Sequence, residues 1–133
     1  MKRGYKEMVD EAYAEVTTLS TADAIKLASD PNVVFVDVRD VRELEREGLV
    51  PNSFHAPRGM LEFWIDTESP YHKAVFAEKK RFLFYCAAGW RSALATKLAQ
   101  DMGMENVAHI EGGFGAWKES GGPVVEKKSK PKA

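Results

Sequence analysis

Short apolar runs alternate with segments of helical period along this 133-residue chain, and that alternation constrains its fold more than any other feature. Val33 to Val38 is apolar except for Asp37, Phe82 to Tyr85 is apolar throughout, and Val107 to Ile110, apolar except for His109, is a third short run. Runs this short, without polar alternation, read as strands buried on both faces. Between and around them lie helical patterns. Tyr5, Met8, Val9, Ala12 and Val16 share one face of a first amphipathic helix. Leu19 followed by Ser20-Thr21-Ala22-Asp23 is a capping box, which opens a second helix running to Asp30-Pro31. Asp40 with Glu43 starts a short helix ending near Gly48. Leu94, Ala95, Leu98, Ala99 and Met102 keep helical spacing until Gly103.

Three further segments complete the pattern. Ser53 to Ala56 reads as another strand closed by Pro57, and Gly59 to Glu78 as helices and loops. Gly112-Gly113 turns into a helix around Phe114 to Trp117, ended by Gly121-Gly122-Pro123. Strands alternating with helices predict an α/β fold with a mostly parallel sheet covered on both sides. A mass of 14.9 kDa is that of one ordinary domain, large enough to bury a core without disulfide or metal staples.

Composition narrows the classes of partner. A formal net charge of -1 gives no electrostatic case for nucleic acid or an anionic membrane surface. No apolar run approaches the ~20 residues that span a bilayer, and the start MKRGYKEMVDEAYAEV lacks the apolar stretch of a signal peptide. Cys86 is the single cysteine, so no internal disulfide forms. That usage suits a reducing compartment, and a cytoplasmic location is expected.

Cys86 carries the chemical interest. In open α/β sheets ligands bind beyond the carboxyl ends of the strands, and Cys86 is the first residue past such an end. Ala87-Ala88-Gly89 is small enough for the backbone to curl and aim its N–H groups inward, and the helix expected to begin near Ser92 adds its positive end. Such a nest stabilises an anion at the sulfur or on a group bound to it, and such settings depress thiol pKa values. A free cysteine is also often just a small buried hydrophobe. Context alone leaves both readings open.

The stretch CAAGWRS, Cys86 to Ser92, resembles the active-site loop of the rhodanese family. Asp37-Val38-Arg39 with Glu43 is similar to that family's Asp-x-Arg…Glu segment. Gly48-Leu49-Val50-Pro51-Asn52-Ser53 resembles its Gly-His-Ile-Pro-Gly-Ala stretch, departing at Leu49, Asn52 and Ser53. Gly112-Gly113…Trp117…Gly122-Pro123-Val124 is similar to its closing pattern. The resemblance implies a three-layer fold with a central, mostly parallel sheet of about five strands flanked by helices. It covers a rhodanese-like domain (19–125), which leaves the first helix as an N-terminal helical extension (1–18), while the low-complexity end EKKSKPKA reads from its composition as a disordered lysine-rich tail (126–133).

The resemblance also implies a sulfurtransferase without cofactor or metal. Cys86 would take a sulfane sulfur from a small donor such as thiosulfate, hold it as a persulfide, and pass it to cyanide or to a thiol, including a protein thiol. Ala87, Ala88, Gly89, Trp90, Arg91 and Ser92 would form the loop around that persulfide. Asp37, Arg39, Glu43 and Arg58 are supporting candidates.

Each of these has a structural alternative. Arg91 either clamps the anion or braces the loop on Glu43 or Asp37, and bracing is favoured. Glu43 is also the third helical residue of a capping box. Asp37 and Arg39 read better as an ion pair than as site groups. Arg58 either rims the pocket or is a solvated arginine. Trp90 either shapes the mouth of the site or packs on a neighbouring helix. His55, His72 and His109 show no metal-ligand spacing, and His55 and His109 read as ordinary strand histidines with no cysteine–histidine dyad.

Two rival functions remain. A non-catalytic or redox-sensing module of the same family is one. A cysteine phosphatase is the other, but those enzymes place five residues between Cys and Arg, and here there are four, Ala87 to Trp90.

Overall fold

The computed structural model describes residues 1–128. Its chain order is α1 (Tyr5–Glu15), β1 (Thr18–Leu19), α2 (Thr21–Lys26), β2 (Val33–Asp37), α3 (Val41–Glu47), β3 (Phe54–His55), α4 (Leu61–Ile65), β4 (Arg81–Tyr85), α5 (Trp90–Asp101), β5 (Val107–Ile110) and α6 (Gly113–Glu119). Single 3₁₀ turns cover Arg58–Met60 and Ala74–Ala77. Five parallel strands lie in the order β1-β5-β4-β2-β3. The apolar runs therefore form the three central strands, where both faces need cover.

Side-chain alternation splits the core between those faces. Val36, Phe82, Phe84 and Cys86 join Leu61, Ile65, Ala95 and Ala99, so α4 and α5 cover that side. Phe35, Leu83, Tyr85 and Ala108 join Ala24, Phe114 and Trp117, so α2 and α6 cover the other. Residue 86 thus continues the α5 face, while Tyr85 points away from it. α1 packs outside on α5 and buries only Val9 and Ala12; Tyr5 and Met8, expected on its apolar face, are exposed.

Local signals explain the ends of the elements. Ser20 caps α2 by accepting from Asp23 N–H at 3.1 Å. The helix ends at Lys26, short of the expected Asp30-Pro31, because Leu27, Ala28 and Asp30 bond three residues back and tighten the chain into turns. α3 opens with a reciprocal capping box of Asp40 and Glu43 and ends at Gly48. The strand expected over Ser53 to Ala56 is confined to Phe54–His55. α5 starts at Trp90, earlier than the expected Ser92, since Gly89 at φ +110° caps it and its carbonyl accepts from Ala93 N–H. Residues 129–133 of the expected disordered tail lie outside the described residues.

Candidate active site

The carboxyl ends of β2 and β4 lie side by side, with Asp37 paired to Tyr85 and Val38 N–H bonded to Tyr85 O. Cys86 follows Tyr85 and turns its sulfur back under the loop. Its Sγ accepts from Gly89 N–H at 3.1 Å and from Ser92 N–H at 3.4 Å, and lies 3.5 Å from Ser92 Oγ. Among the described residues, no protein acceptor takes the N–H groups of Ala87, Ala88, Trp90 or Arg91. The sulfur thus sits where backbone donors gather at the start of the 12-residue helix α5. Cys86 itself is only 1% exposed and packs against the core on the α5 side, while Ala87 and Ala88 are exposed.

The Gly112-Gly113 turn holds the loop from behind. Phe114 N–H donates to Cys86 O at 2.8 Å and Gly115 N–H to Ala87 O at 3.1 Å. Gly113 has φ +61°, and a Cβ there would stand 2.5 Å from Cys86 O, so only glycine fits so close to the loop backbone. The later part of the motif is packing. Gly122 lies flat against the Trp117 indole, whose Nε1–H donates to Pro123 O at 2.8 Å.

Arg91 turns away from the sulfur. Its Nη1 and Nη2 donate to Glu43 Oε2 and Oε1 at 2.8 and 2.9 Å, a forked pair linking α5 to α3. The Arg91 guanidinium holds the Glu43 carboxyl well below the usual range, at about 2. Glu43 Oε2 also accepts from Asp40 N–H, so one side chain serves as helix cap and loop brace together.

Asp37 and Arg39 pair with each other in full burial, at 0% and 1% exposure. Arg39 Nη2 donates to Asp37 Oδ2 and to Gly48 O, each at 2.8 Å, and its guanidinium stacks 4.3 Å from the Phe114 ring centroid. These two brace the loops beneath the site. Arg58 is placed elsewhere. It lines a cavity of about 230 Å³ between α1 and α5 with Met8, Glu11, Leu94 and Lys97, and Cys86 is not in that lining. Trp90 is 57% exposed, and its ring lies 5.2 Å from that of Tyr5, so it packs on the N-terminal helix.

Two groups that the sequence reading passed over reach the loop. Tyr13 of α1 donates to Gly89 O at 3.3 Å. His109 of β5, fully buried, places Nδ1 3.0 Å from Ser92 Oγ and Nε2 2.9 Å from Thr18 Oγ1. The available signal was a polar residue inside an apolar strand, in register with Phe84 and so on the face of Cys86. Nothing in the local sequence around Tyr13 marked it.

Residues 20–120 match the Rhodanese-like domain family. The chain belongs to that family. It is 33% identical over 102 residues to a thiosulfate:glutathione sulfurtransferase of Saccharomyces cerevisiae, covering 73% of each. A polysulfide-sulfur transferase homodimer from Wolinella succinogenes is 31% identical with a TM-score of 0.69, over 92% of this chain and 88% of that one. A Rhodopseudomonas palustris protein of unknown function, called a possible tyrosine phosphatase, is 60% identical with a TM-score of 0.92, over 94% of this chain and 96% of that one. The chain spans 59% of the length of slr1261, an uncharacterized Synechocystis relative. The sulfurtransferases named among these relatives place this rhodanese-like domain with sulfurtransferase homologues. Among the described residues, no helix is long and apolar enough to cross a membrane.

Proposed function

We propose that this rhodanese-like domain is a sulfurtransferase whose nucleophile is Cys86. The observation that carries this is the pair of backbone N–H groups converging on Sγ at the mouth of α5. An inert buried cysteine needs no aimed donors; a thiolate or persulfide does.

In the first half-reaction the Cys86 thiolate attacks the sulfane sulfur of thiosulfate. An S–S bond forms to Cys86, the S–S bond of thiosulfate breaks, and sulfite leaves with the electron pair. In the second, a thiolate or cyanide attacks the outer sulfur, forms a persulfide or thiocyanate, and returns the Cys86 thiolate. The four loop N–H groups without protein acceptors are suited to stabilising the negative charge on the outer sulfur. The thiol acceptor class, the cytoplasmic setting and the bounds of the 19–125 domain belong to the same reading.

The name carried by the Rhodopseudomonas neighbour raises phosphate-ester hydrolysis as the second reading. Two features disfavour it. Four residues, not five, separate Cys86 from Arg91, which leaves a cradle too small for a phosphoryl group. Both donor arms of Arg91 are also taken by Glu43 rather than free to hold three phosphoryl oxygens. The purified protein is expected to transfer sulfur from thiosulfate to cyanide, to lose that activity in Cys86→Ser, and to leave p-nitrophenyl phosphate intact. Cys86-dependent turnover of the phosphate ester without sulfur transfer would reverse the assignment.

A further inference from the structure

His109 is a buried titratable group that the sulfur chemistry above leaves unused. Its ring is sealed by Tyr13, whose ring meets it edge-on with centroids 4.8 Å apart. Through Ser92 Oγ, 3.0 Å from Nδ1 and 3.5 Å from Cys86 Sγ, the imidazole lies one hydroxyl away from the sulfur. Burial pushes His109 down to about 4, so the ring is neutral around neutral pH.

A neutral imidazole offers one donor and one acceptor, and the Ser92 hydroxyl has one proton to place. If Nε2 carries the ring proton, Nδ1 is an acceptor and takes the Ser92 proton, leaving none for the sulfur. If Nδ1 carries it, the ring donates to Ser92 Oγ while the Thr18 hydroxyl donates to Nε2, and the Ser92 proton is free. The Ser92 hydroxyl also lies 3.3 Å from Gly89 O, but that carbonyl already receives Ala93 N–H and the Tyr13 hydroxyl, which leaves an anionic sulfur as the stronger acceptor. An anionic sulfur accepts and cannot donate, so it favours the second arrangement.

We propose that His109 is a positioning residue for Cys86: as the Nδ1–H tautomer it donates to Ser92 Oγ and directs the Ser92 hydroxyl proton at the anionic sulfur. No proton changes owner; the ring sets the direction of a hydroxyl. The proposal deepens the reading of Cys86 as nucleophile and rests on it. It also gives α1 a task, since Tyr13 excludes water from the ring and holds the loop carbonyl. The other titratable groups facing the chain are Tyr13, Arg91 with its partner Glu43, Asp37 near Arg91, and Glu111 near Tyr13. Tyr13 is raised by burial and Arg91 by Glu43, so neither changes charge near neutral pH.

The test is the pH–rate profile of Cys86 alkylation by iodoacetamide, followed by intact mass, with folding checked by thermal unfolding. Ser92→Ala and His109→Gln are compared with His109→Asn. The Asn amide can stand in for Nδ1–H, whereas the Gln amide reaches toward Thr18. Ser92→Ala and His109→Gln should each move the profile to higher pH by about one unit, a tenfold slower reaction at fixed pH below the inflection. His109→Asn should stay near wild type, and the Ser92→Ala/His109→Gln pair should shift no further than Ser92→Ala alone. A folded His109→Gln with the wild-type profile, or a double variant whose shifts add, overturns the relay. Sulfur transfer is scored separately: a relay shift in a protein that takes up no sulfur leaves the relay standing and removes the transferase reading.

Discussion

Two polar sites sit side by side at the carboxyl edge of the sheet, and they are built in opposite ways. At the end of β2, Asp37 and Arg39 are buried and mutually satisfied. The carboxylate takes two side-chain N–H groups and a backbone N–H, and the guanidinium also serves Gly48 O and the Phe114 face. At the end of β4, Cys86 is as deeply buried, yet donors are aimed at its sulfur and neighbouring loop amides have no protein acceptor among the described residues. Burial alone therefore does not separate scaffold from site. What separates them is whether the hydrogen-bonding capacity is closed or left open toward a ligand.

The contrast is most sharply broken at the closed site. Arg39→Leu should destabilise the fold by about 3–5 kcal/mol, because it strands a carboxylate in the interior. Replacing Asp37 and Arg39 together by apolar residues should recover much of that loss in a denaturant titration. Cys86→Ser, at the open site, should change stability by less than about 1 kcal/mol, since a hydroxyl can accept from the same N–H groups. Equal losses at the two positions would erase the distinction.

Gly113→Ala comes next. The left-handed backbone and the contact with Cys86 O put its cost at the upper end of about 1–3 kcal/mol, with sulfur transfer falling as the loop is pushed aside. Thermal unfolding and activity measured on one preparation check that the two fall together.

A modest and pH-dependent effect belongs to Glu43→Gln. Arg91 depresses the Glu43 carboxyl to about 2 in the folded chain, below its unfolded value near ~4.3. The pair thus stabilises the fold above the unfolded value, and the gain is lost as pH falls from about 4.3 toward 2. Partial exposure limits it to about 1 kcal/mol. The stability gap between wild type and Glu43→Gln should be level at neutral pH and close in acid. A gap that widens in acid would contradict the pairing.

Much of the fold was legible because unbroken apolar runs such as Phe82 to Tyr85 admit few roles other than a buried strand. The same holds for the Asp40–Glu43 box and the Gly112-Gly113 turn, whose geometry is local. Long-range partners were not legible. Glu43 gave away its capping role but not which arginine it would hold. The placement of Arg58 depends on how α1 lies against α5, and no local rule reports that. His109 reads from local sequence as an ordinary strand histidine because its partners, Thr18 and Ser92, lie 91 and 17 residues away.

On the proposed function, the amides around Cys86 are left open for a sulfur atom, and intact mass of the chain after incubation with thiosulfate reads that out. One sulfur atom should be gained, removed again by cyanide or dithiothreitol, and missing from Cys86→Ser treated in parallel. A wild-type chain whose mass stays unchanged, or a Cys86→Ser chain that gains the same atom, would rule out Cys86 as the sulfur carrier.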